Sequence, residues 1–180
     1  MQNIISYETF ITSDQCKELI RLCESLDGEV DRHPMLVQQY RVKFRNETLR
    51  MEFRNLLPNY EINNRFTYVK YDNGGCVPVH CDEYSEKVTH TALIYLNDDY
   101  GDGETYIVED MCKKKINKKI GKIIIFKGNE IVHGCYPVIG TKNILLFGLI
   151  YLNDWFTLIA IPCFLAFILA ISLDFLLFWI

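Results

Sequence analysis

Short runs of β-branched and aromatic residues dominate the sequence after position 65. Glycine, asparagine and aspartate stand between the runs, notably at 72–75, 97–101, 127–129 and 139–141, and these residues favour tight turns. Strands of this length and spacing predict a sandwich or an open barrel. The predicted strands cover residues 66–71, 89–96, 104–108, 122–126, 131–138 and 143–152.

The N-terminal third favours helices. Thr12 and Gln15 have the spacing of a capping box, and apolar residues then recur at helical intervals. We predict a helix over residues 13–26. A shorter helix is predicted over 47–57, where Pro58 would end it.

The last quarter of the chain is far more apolar than the rest. Residues 155–173 contain only two polar side chains, and nineteen residues are enough to cross a bilayer as a helix. We therefore predict that 155–180 is a hydrophobic helix forming a transmembrane tail. Asp174 interrupts it, and no Lys or Arg follows Lys142 to set an orientation. A buried helix or an imperfect span is the alternative.

Length and charge limit the class of protein. The chain has 180 residues, which is enough for one domain with its own core. We place that domain at residues 1–152, with its metal-binding core at about 66–152. The formal net charge of -4 disfavours a general polyanion binder. We therefore expect no nucleic-acid binding.

The cysteines indicate a reducing compartment. There are seven, an odd number, and none forms a CxxC pair. The first residues also lack the charged and apolar parts of a secretory signal. We expect a membrane-associated protein whose domain faces the cytosol, with a cytoplasmic protein as the alternative.

Two residues in the segment 71–82 point to metal chemistry. His80 and Asp82 are two positions apart, so in extended chain both side chains leave from one face. One imidazole and one carboxylate are two corners of the two-histidine, one-carboxylate site typical of non-haem Fe(II). His133, in the predicted strand 131–138, can supply the third corner. A histidine hydrogen-bonded within a sheet is the alternative for His133.

Lys142 begins a strand that is otherwise apolar. A lysine directed into an apolar barrel needs an anionic partner. A dicarboxylate that chelates iron through its keto-acid end would offer its second carboxylate to such a cation. The alternative is that Lys142 lies on the exposed face of an edge strand.

The order of these segments resembles the prolyl-4-hydroxylase-like branch of the 2-oxoglutarate and Fe(II) dioxygenases. The resemblance covers most of residues 8–152. It implies an α+β, mainly β fold: a double-stranded β-helix, or jelly-roll (cupin-like) barrel, with N-terminal helices packed on it, followed here by the C-terminal hydrophobic helix. The matching segments are the opening helix at 10–20, the metal segment at 71–82, a core strand at 91–97, a variant Gly-Gly-Glu-Thr turn at 101–105, and the distal His, Pro-Val and basic residue at 133–142.

The resemblance also implies an activity. The enzyme would use O2 and 2-oxoglutarate to hydroxylate a prolyl or other side chain of a protein or peptide, releasing succinate and carbon dioxide, with ascorbate as reductant. No catalytic residue is expected beyond the metal site. The implied roles are Fe(II) binding by His80, Asp82 and His133, and 2-oxoglutarate binding by Lys142, Tyr71 and Thr105.

Two departures from the family pattern leave alternatives open. Asp102 replaces the first glycine of the turn, and Lys142 stands one residue closer to His133 than is usual. Gly140 can absorb the missing residue, whereas a shift of strand register would turn Lys142 to solvent. Tyr71 can instead pack on the core, and Thr105 can reflect strand propensity alone.

Other functions are compatible with the same residues. The domain can be an inactive β-helix binding module tethered to a membrane, a dioxygenase acting on a small metabolite, or a zinc-dependent hydrolytic site. The basic run 113–119 is interpreted as a solvated hairpin loop, with contact to phosphate or anionic lipid as the alternative.

Overall fold

The computed structural model of the chain describes residues 4–27, 29–31, 39–84 and 87–152. The predicted transmembrane tail at 155–180 lies outside these residues and stays a prediction. Within the described part, no helix is both long enough and apolar enough to cross a membrane.

Two helices precede most of the strands. Helix α1 spans Ser13–Glu24 and begins with the predicted capping box, in which Thr12 Oγ1 accepts from the Gln15 backbone and the Gln15 side chain accepts from the Thr12 backbone. Helix α2 spans Glu47–Leu56, with Asn46 as its N-cap. Both predictions are confirmed, and α1 ends two residues earlier than expected.

The described residues form thirteen strands in three sheets. In chain order they are β1 (Ile5–Tyr7), β2 (Glu29–Asp31), β3 (Gln39–Arg45), β4 (Tyr60–Tyr71), β5 (Val77–His80), β6 (His90–Tyr95), β7 (Gly101–Asp102), β8 (Thr105–Glu109), β9 (Cys112–Lys115), β10 (Ile123–Phe126), β11 (His133–Cys135), β12 (Val138–Ile139) and β13 (Lys142–Tyr151).

The sheets are antiparallel, and the two larger ones enclose a core. The seven-stranded sheet has the order β1-β10-β6-β13-β4-β3-β2, and the four-stranded sheet has the order β5-β11-β8-β9. Residues of both sheets, such as Val69, Tyr95, Val77 and Ile107, belong to one buried cluster. This arrangement confirms the predicted double-stranded β-helix with helices packed on one side.

The seven-stranded sheet is buried on both faces. Leu145 and Phe147 of β13 point toward the helices, where they join Phe53 of α2. The intervening residues of β13, such as Ile144, point into the space between the sheets. Since both faces of β13 are buried, its sequence is a continuous apolar run rather than an alternation of apolar and polar residues.

Several strands differ from the prediction. β4 begins at Tyr60, well before the predicted start at 66. Tyr60 and Ile62 are buried, but their polar neighbours hid the strand pattern in the sequence. The predicted strand 131–138 is split into β11 and β12, and Pro137, which has no N–H to donate to a ladder, lies in the break.

The basic run also differs from the loop that was predicted. Residues 113–115 belong to β9, an exposed edge strand paired with β8. Lys114 forms an ion pair with Glu109, and Lys115 forms one with Glu104. Lysines on an edge strand hinder pairing with other chains, so part of this segment has a structural role.

Candidate metal centre

The structure brings His80, Asp82 and His133 together. His80 ends β5 and His133 begins β11, and the two residues are direct partners in the antiparallel pairing of these strands. Their Nε2 atoms lie 3.5 Å and 3.6 Å from Asp82 Oδ1. One ligand atom from each of the three residues lies within 4.8 Å of the others. This donor set and spacing fit one metal ion.

Both imidazoles are oriented by backbone carbonyls. His80 Nδ1 lies 3.0 Å from the Pro78 carbonyl, and His133 Nδ1 lies 2.8 Å from the Ile131 carbonyl. Because a carbonyl only accepts, Nδ1 carries the proton and donates. Each Nε2 then keeps its lone pair for a ligand, which is the usual way that a metal-binding histidine is fixed.

Asp82 is held by a chain of hydrogen bonds that begins at the Gly128 amide. Thr91 donates to Asp82 Oδ2 at 2.5 Å, Tyr84 lies 2.6 Å from the Thr91 hydroxyl, and the Gly128 amide donates to Tyr84 at 2.7 Å. Since Thr91 uses its proton on Asp82, Tyr84 must donate to Thr91. The chain therefore runs in one direction, from Gly128 to the carboxylate.

Gly128 has no room for a side chain. A Cβ at this position would lie 2.0 Å from Asp82 Oδ2 and 2.6 Å from the Tyr84 hydroxyl. The sequence marked 127–129 only as a turn. Thr91 was missed as a support for Asp82, because no local pattern shows which strand residue faces a carboxylate.

The electrostatics of the three residues favour an ionised Asp82. Burial by itself would raise the pKa of Asp82, but hydrogen bonds with His133, His80 and Thr91 outweigh burial and lower it. The contact with Asp82 raises the pKa of His80. A carboxylate kept ionised beside two imidazoles suits the binding of a divalent cation.

Lys142 faces the same cavity and is almost fully buried, with 1% of its surface exposed. It pairs with Tyr71 of β4 in the strand register, and its Nζ lies 5.2 Å from the Tyr71 ring centre. Gly140, in the turn before Lys142, has a φ of 97°, a backbone conformation that favours glycine. The register shift that would have turned Lys142 to solvent does not occur.

The charge of Lys142 is only partly compensated. Its Nζ donates to the Gly103 carbonyl at 2.8 Å, and no carboxylate of the described residues lies within ion-pair distance. Burial lowers the pKa of Lys142. A buried cation in this state favours an anionic ligand, because removing a charge from water is costly unless it is paired.

All six predicted site residues line one cavity of about 440 Å³. The hydroxyl of Thr105, which lines this cavity, is buried and lacks a hydrogen-bond partner within the described part of the chain. An unpartnered hydroxyl in the same cavity as a buried lysine fits a carboxylate-bearing ligand, since such a ligand can accept from both.

Comparison with solved structures shows where this fold occurs. No protein-family model matches the sequence, and a search of curated proteins finds no match. The chain is similar to a Trichoplax adhaerens prolyl hydroxylase in complex with a hypoxia inducible factor peptide fragment (14% identity, TM-score 0.68, 84% of each chain).

Two further structures have the same fold. One is a Pseudomonas putida prolyl-4-hydroxylase (14% identity, TM-score 0.66, 84% of this chain and 94% of that one). The other is the viral collagen prolyl hydroxylase of Paramecium Bursaria Chlorella virus-1 in complex with 2-oxoglutarate (18% identity, TM-score 0.62, 81% and 94%). The resemblance drawn from the sequence is thus confirmed at the level of the fold: the chain has the β-helix barrel of the prolyl 4-hydroxylases.

Proposed function

We propose that the protein is an Fe(II)- and 2-oxoglutarate-dependent dioxygenase that hydroxylates a C–H bond in a side chain of a protein or peptide. The observation that carries this proposal is one cavity with two distinct features. A two-histidine, one-carboxylate cluster lies on its wall, and a buried lysine without a carboxylate partner faces the same space.

His80, Asp82 and His133 would hold the iron. Bound Fe(II), with 2-oxoglutarate and O2, supplies the oxidising chemistry and releases succinate and carbon dioxide. Three protein ligands leave the remaining coordination positions for the cosubstrate and oxygen. A zinc site with the same ligands gives no reason for the buried charge of Lys142.

The other residues of the cavity orient and protect the reactants. Lys142 would donate to the far carboxylate of 2-oxoglutarate, and Tyr71 and Thr105 line the same cavity. The apolar side chains of Leu93, Phe126 and Ile144 line this cavity too. An apolar wall keeps water from a reactive oxidant and strengthens the lysine–carboxylate contact.

Peptide prolyl residues are the first substrates to test. Support comes from the prolyl hydroxylases that share the fold, one of which was crystallised with a peptide. The same fold also occurs in HygX, a Streptomyces hygroscopicus protein whose structure contains hygromycin B. Because one scaffold accepts such different molecules, the substrate must be decided by assay.

Anaerobic titration tests the metal and cosubstrate assignment. The full chain, kept in a mild detergent, is titrated with Fe(II) and then with 2-oxoglutarate. A keto acid chelated to iron gives a visible charge-transfer band, which zinc cannot give. We expect the band in the wild type and its loss in His80→Ala. A wild-type protein without the band would contradict the proposal and favour an inactive module or a zinc site.

Turnover then tests the reaction. The same protein is incubated in air with Fe(II), ascorbate and 2-oxoglutarate, and proline-containing peptides are screened for the gain of one oxygen atom by mass spectrometry. We expect succinate together with an oxidised peptide. Succinate with oxidation of a small molecule from a cell extract, but of no peptide, would overturn the substrate class and leave the dioxygenase assignment in place.

A further inference from the structure

Exposed cations gather on the cavity side of the seven-stranded sheet. Lys43 and Arg45 of β3 and Arg65 of β4 are exposed. None of these three side chains forms an ion pair with another described residue. Arg45 and Arg65 are direct partners across the two strands, and like charges in that position destabilise a sheet. The pairing of Arg45 with Arg65 is therefore unfavourable for folding, and no ion pair within the described residues offsets it.

Three neighbouring cavities that share lining residues lead from the metal centre to this cluster. The metal cavity shares Asp82, Glu83 and Thr91 with a neighbouring cavity of about 240 Å³. That second cavity shares Arg65 and Thr67 with a third, of about 510 Å³, which is also lined by Lys43 and Arg45. We call the third cavity, which is lined by Lys43, Arg45 and Arg65 and by no acidic residue, the cationic groove.

Among the described residues, no strand covers the backbone edge beside the cationic groove. β2 pairs with β3 only at Gln39, Tyr40 and Arg41. No described strand pairs with that edge of β3 over residues 42–45. An open edge with alternating outward N–H and C=O groups can accept a peptide strand. This feature suits a polypeptide better than a nucleic acid, as does the net charge of -4.

The spacing along β4 relates the cluster to the metal cavity. Val69 pairs with Ile144, which lines the metal cavity, and Arg65 is four residues back along β4. At about 3.3 Å per residue this is roughly 13 Å. An extended substrate would cover the same distance with about four residues.

We propose that the cationic groove binds an acidic segment of the peptide substrate, about four residues from the residue that is hydroxylated. The inference rests on the proposed function and names its substrate class. Glutamate or aspartate side chains of the substrate would pair with Lys43, Arg45 and Arg65, and thereby relieve the repulsion between the two arginines.

Fluorescent peptides test the proposal by anisotropy. Each probe has one central proline, and about four residues away on either side it carries a short run of glutamate, glutamine or lysine. A single-stranded DNA oligonucleotide serves as the probe for nucleic acid. We expect the glutamate peptide to bind about tenfold more tightly than the glutamine peptide, and the advantage to shrink as salt is raised from roughly 50 to 300 mM.

Charge variants locate the site. The triple variant Lys43→Gln, Arg45→Gln, Arg65→Gln should lose most of the preference for glutamate, a fall of about tenfold in affinity for the glutamate probe. The matched control is Lys113→Gln, Lys114→Gln, Lys115→Gln, which removes the same charge from β9. The control should bind the glutamate probe as the wild type does. Circular dichroism verifies that each variant is folded.

The possible outcomes separate this inference from the proposed function. Equal binding of glutamate and glutamine peptides would overturn the inference, and so would an equal loss in both triple variants. Tighter binding of DNA than of the glutamate peptide would overturn it in favour of a nucleic-acid substrate. The keto-acid band, recorded on the same wild-type sample, reports on the proposed function separately. A protein that shows the band but no preference for glutamate fails only the inference.

Discussion

The two faces of the seven-stranded sheet differ in what they bury. On the helix side, Phe53 packs against Phe66 and Phe147 with ring centres 6.0 Å and 5.3 Å away. On the cavity side, the same strands bury Lys142 and place Thr91 on the cavity wall. The helix side is an ordinary close-packed core, whereas the cavity side carries polar groups that folding alone would not retain.

This difference separates stability from function within one sheet. Along β13, residues two positions apart share a face, so Leu145 serves the core while its neighbours Ile144 and Leu146 line the metal cavity. A change on the helix side should reduce the free energy of unfolding and spare ligand binding. A change on the cavity side should weaken ligand binding and leave the free energy of unfolding unchanged.

The largest expected effect is on the helix side. Phe53→Ala removes a ring that is 1% exposed and contacts three other rings. We expect the free energy of unfolding to fall by about 3–5 kcal/mol, measured by urea denaturation. The keto-acid band should remain under native conditions. Loss of the band in a variant that is still folded would show that the two faces are not independent.

Lys142→Met tests the cavity side directly. Without the ammonium group, 2-oxoglutarate should bind about 100-fold more weakly to the Fe(II) protein, since a buried charge-assisted contact is lost. The free energy of unfolding should not fall, because a poorly compensated buried cation is replaced by an apolar side chain. Titration of the keto-acid band and urea denaturation measure the two quantities.

A second buried lysine provides the control for that variant. Lys122 is also nearly buried, but it forms an ion pair with Glu8 at 2.8 Å and does not line the metal cavity. Lys122→Met should leave the affinity for 2-oxoglutarate unchanged. If both variants weakened 2-oxoglutarate binding equally, the effect would reflect general damage to the barrel rather than a missing carboxylate partner.

Thr91→Val should have an intermediate effect. It removes the hydroxyl that donates to Asp82 and accepts from Tyr84, while keeping a β-branched side chain in β6. We expect Fe(II) affinity to fall about tenfold, which is typical when a ligand loses a supporting hydrogen bond. Thr91→Ser keeps the hydroxyl and should restore most of the affinity. Equal affinities in the valine variant and the wild type would remove Thr91 from the support of the metal site.

The smallest expected effect lies at the start of α1, away from the cavity. Thr12→Ala removes the side-chain half of the capping box, and we expect a loss of about 1 kcal/mol in the free energy of unfolding. Thr12→Ser should lose much less. Thermal unfolding of the two variants, with the keto-acid band as a second measurement, checks that a change on the helix side leaves the cavity side unaffected.

Local patterns predicted the elements whose signals are local. The capping box at Thr12 and the apolar spacing after it led to α1, and β-branched runs led to β6, β10 and β13. Strands with polar composition were missed. β3 carries exposed Lys43 and Arg45 on either side of half-buried Phe44, and the lysines of β9 are all exposed. Such strands are held by pairing with a neighbour, and a single sequence does not show the neighbour.

The sequence by itself determined which residues are candidates for the proposed chemistry: His80 and Asp82 two positions apart, His133 in a later strand, and Lys142 in an apolar one. Only the tertiary structure decided that these residues meet. The pairing of β11 with β5 places His133 beside His80, and the register of β13 on β4 places Lys142 inside the barrel. The support of Asp82 and the cationic groove also arise only in three dimensions. Both depend on strand register, in which a shift of one residue exchanges the two faces of a sheet.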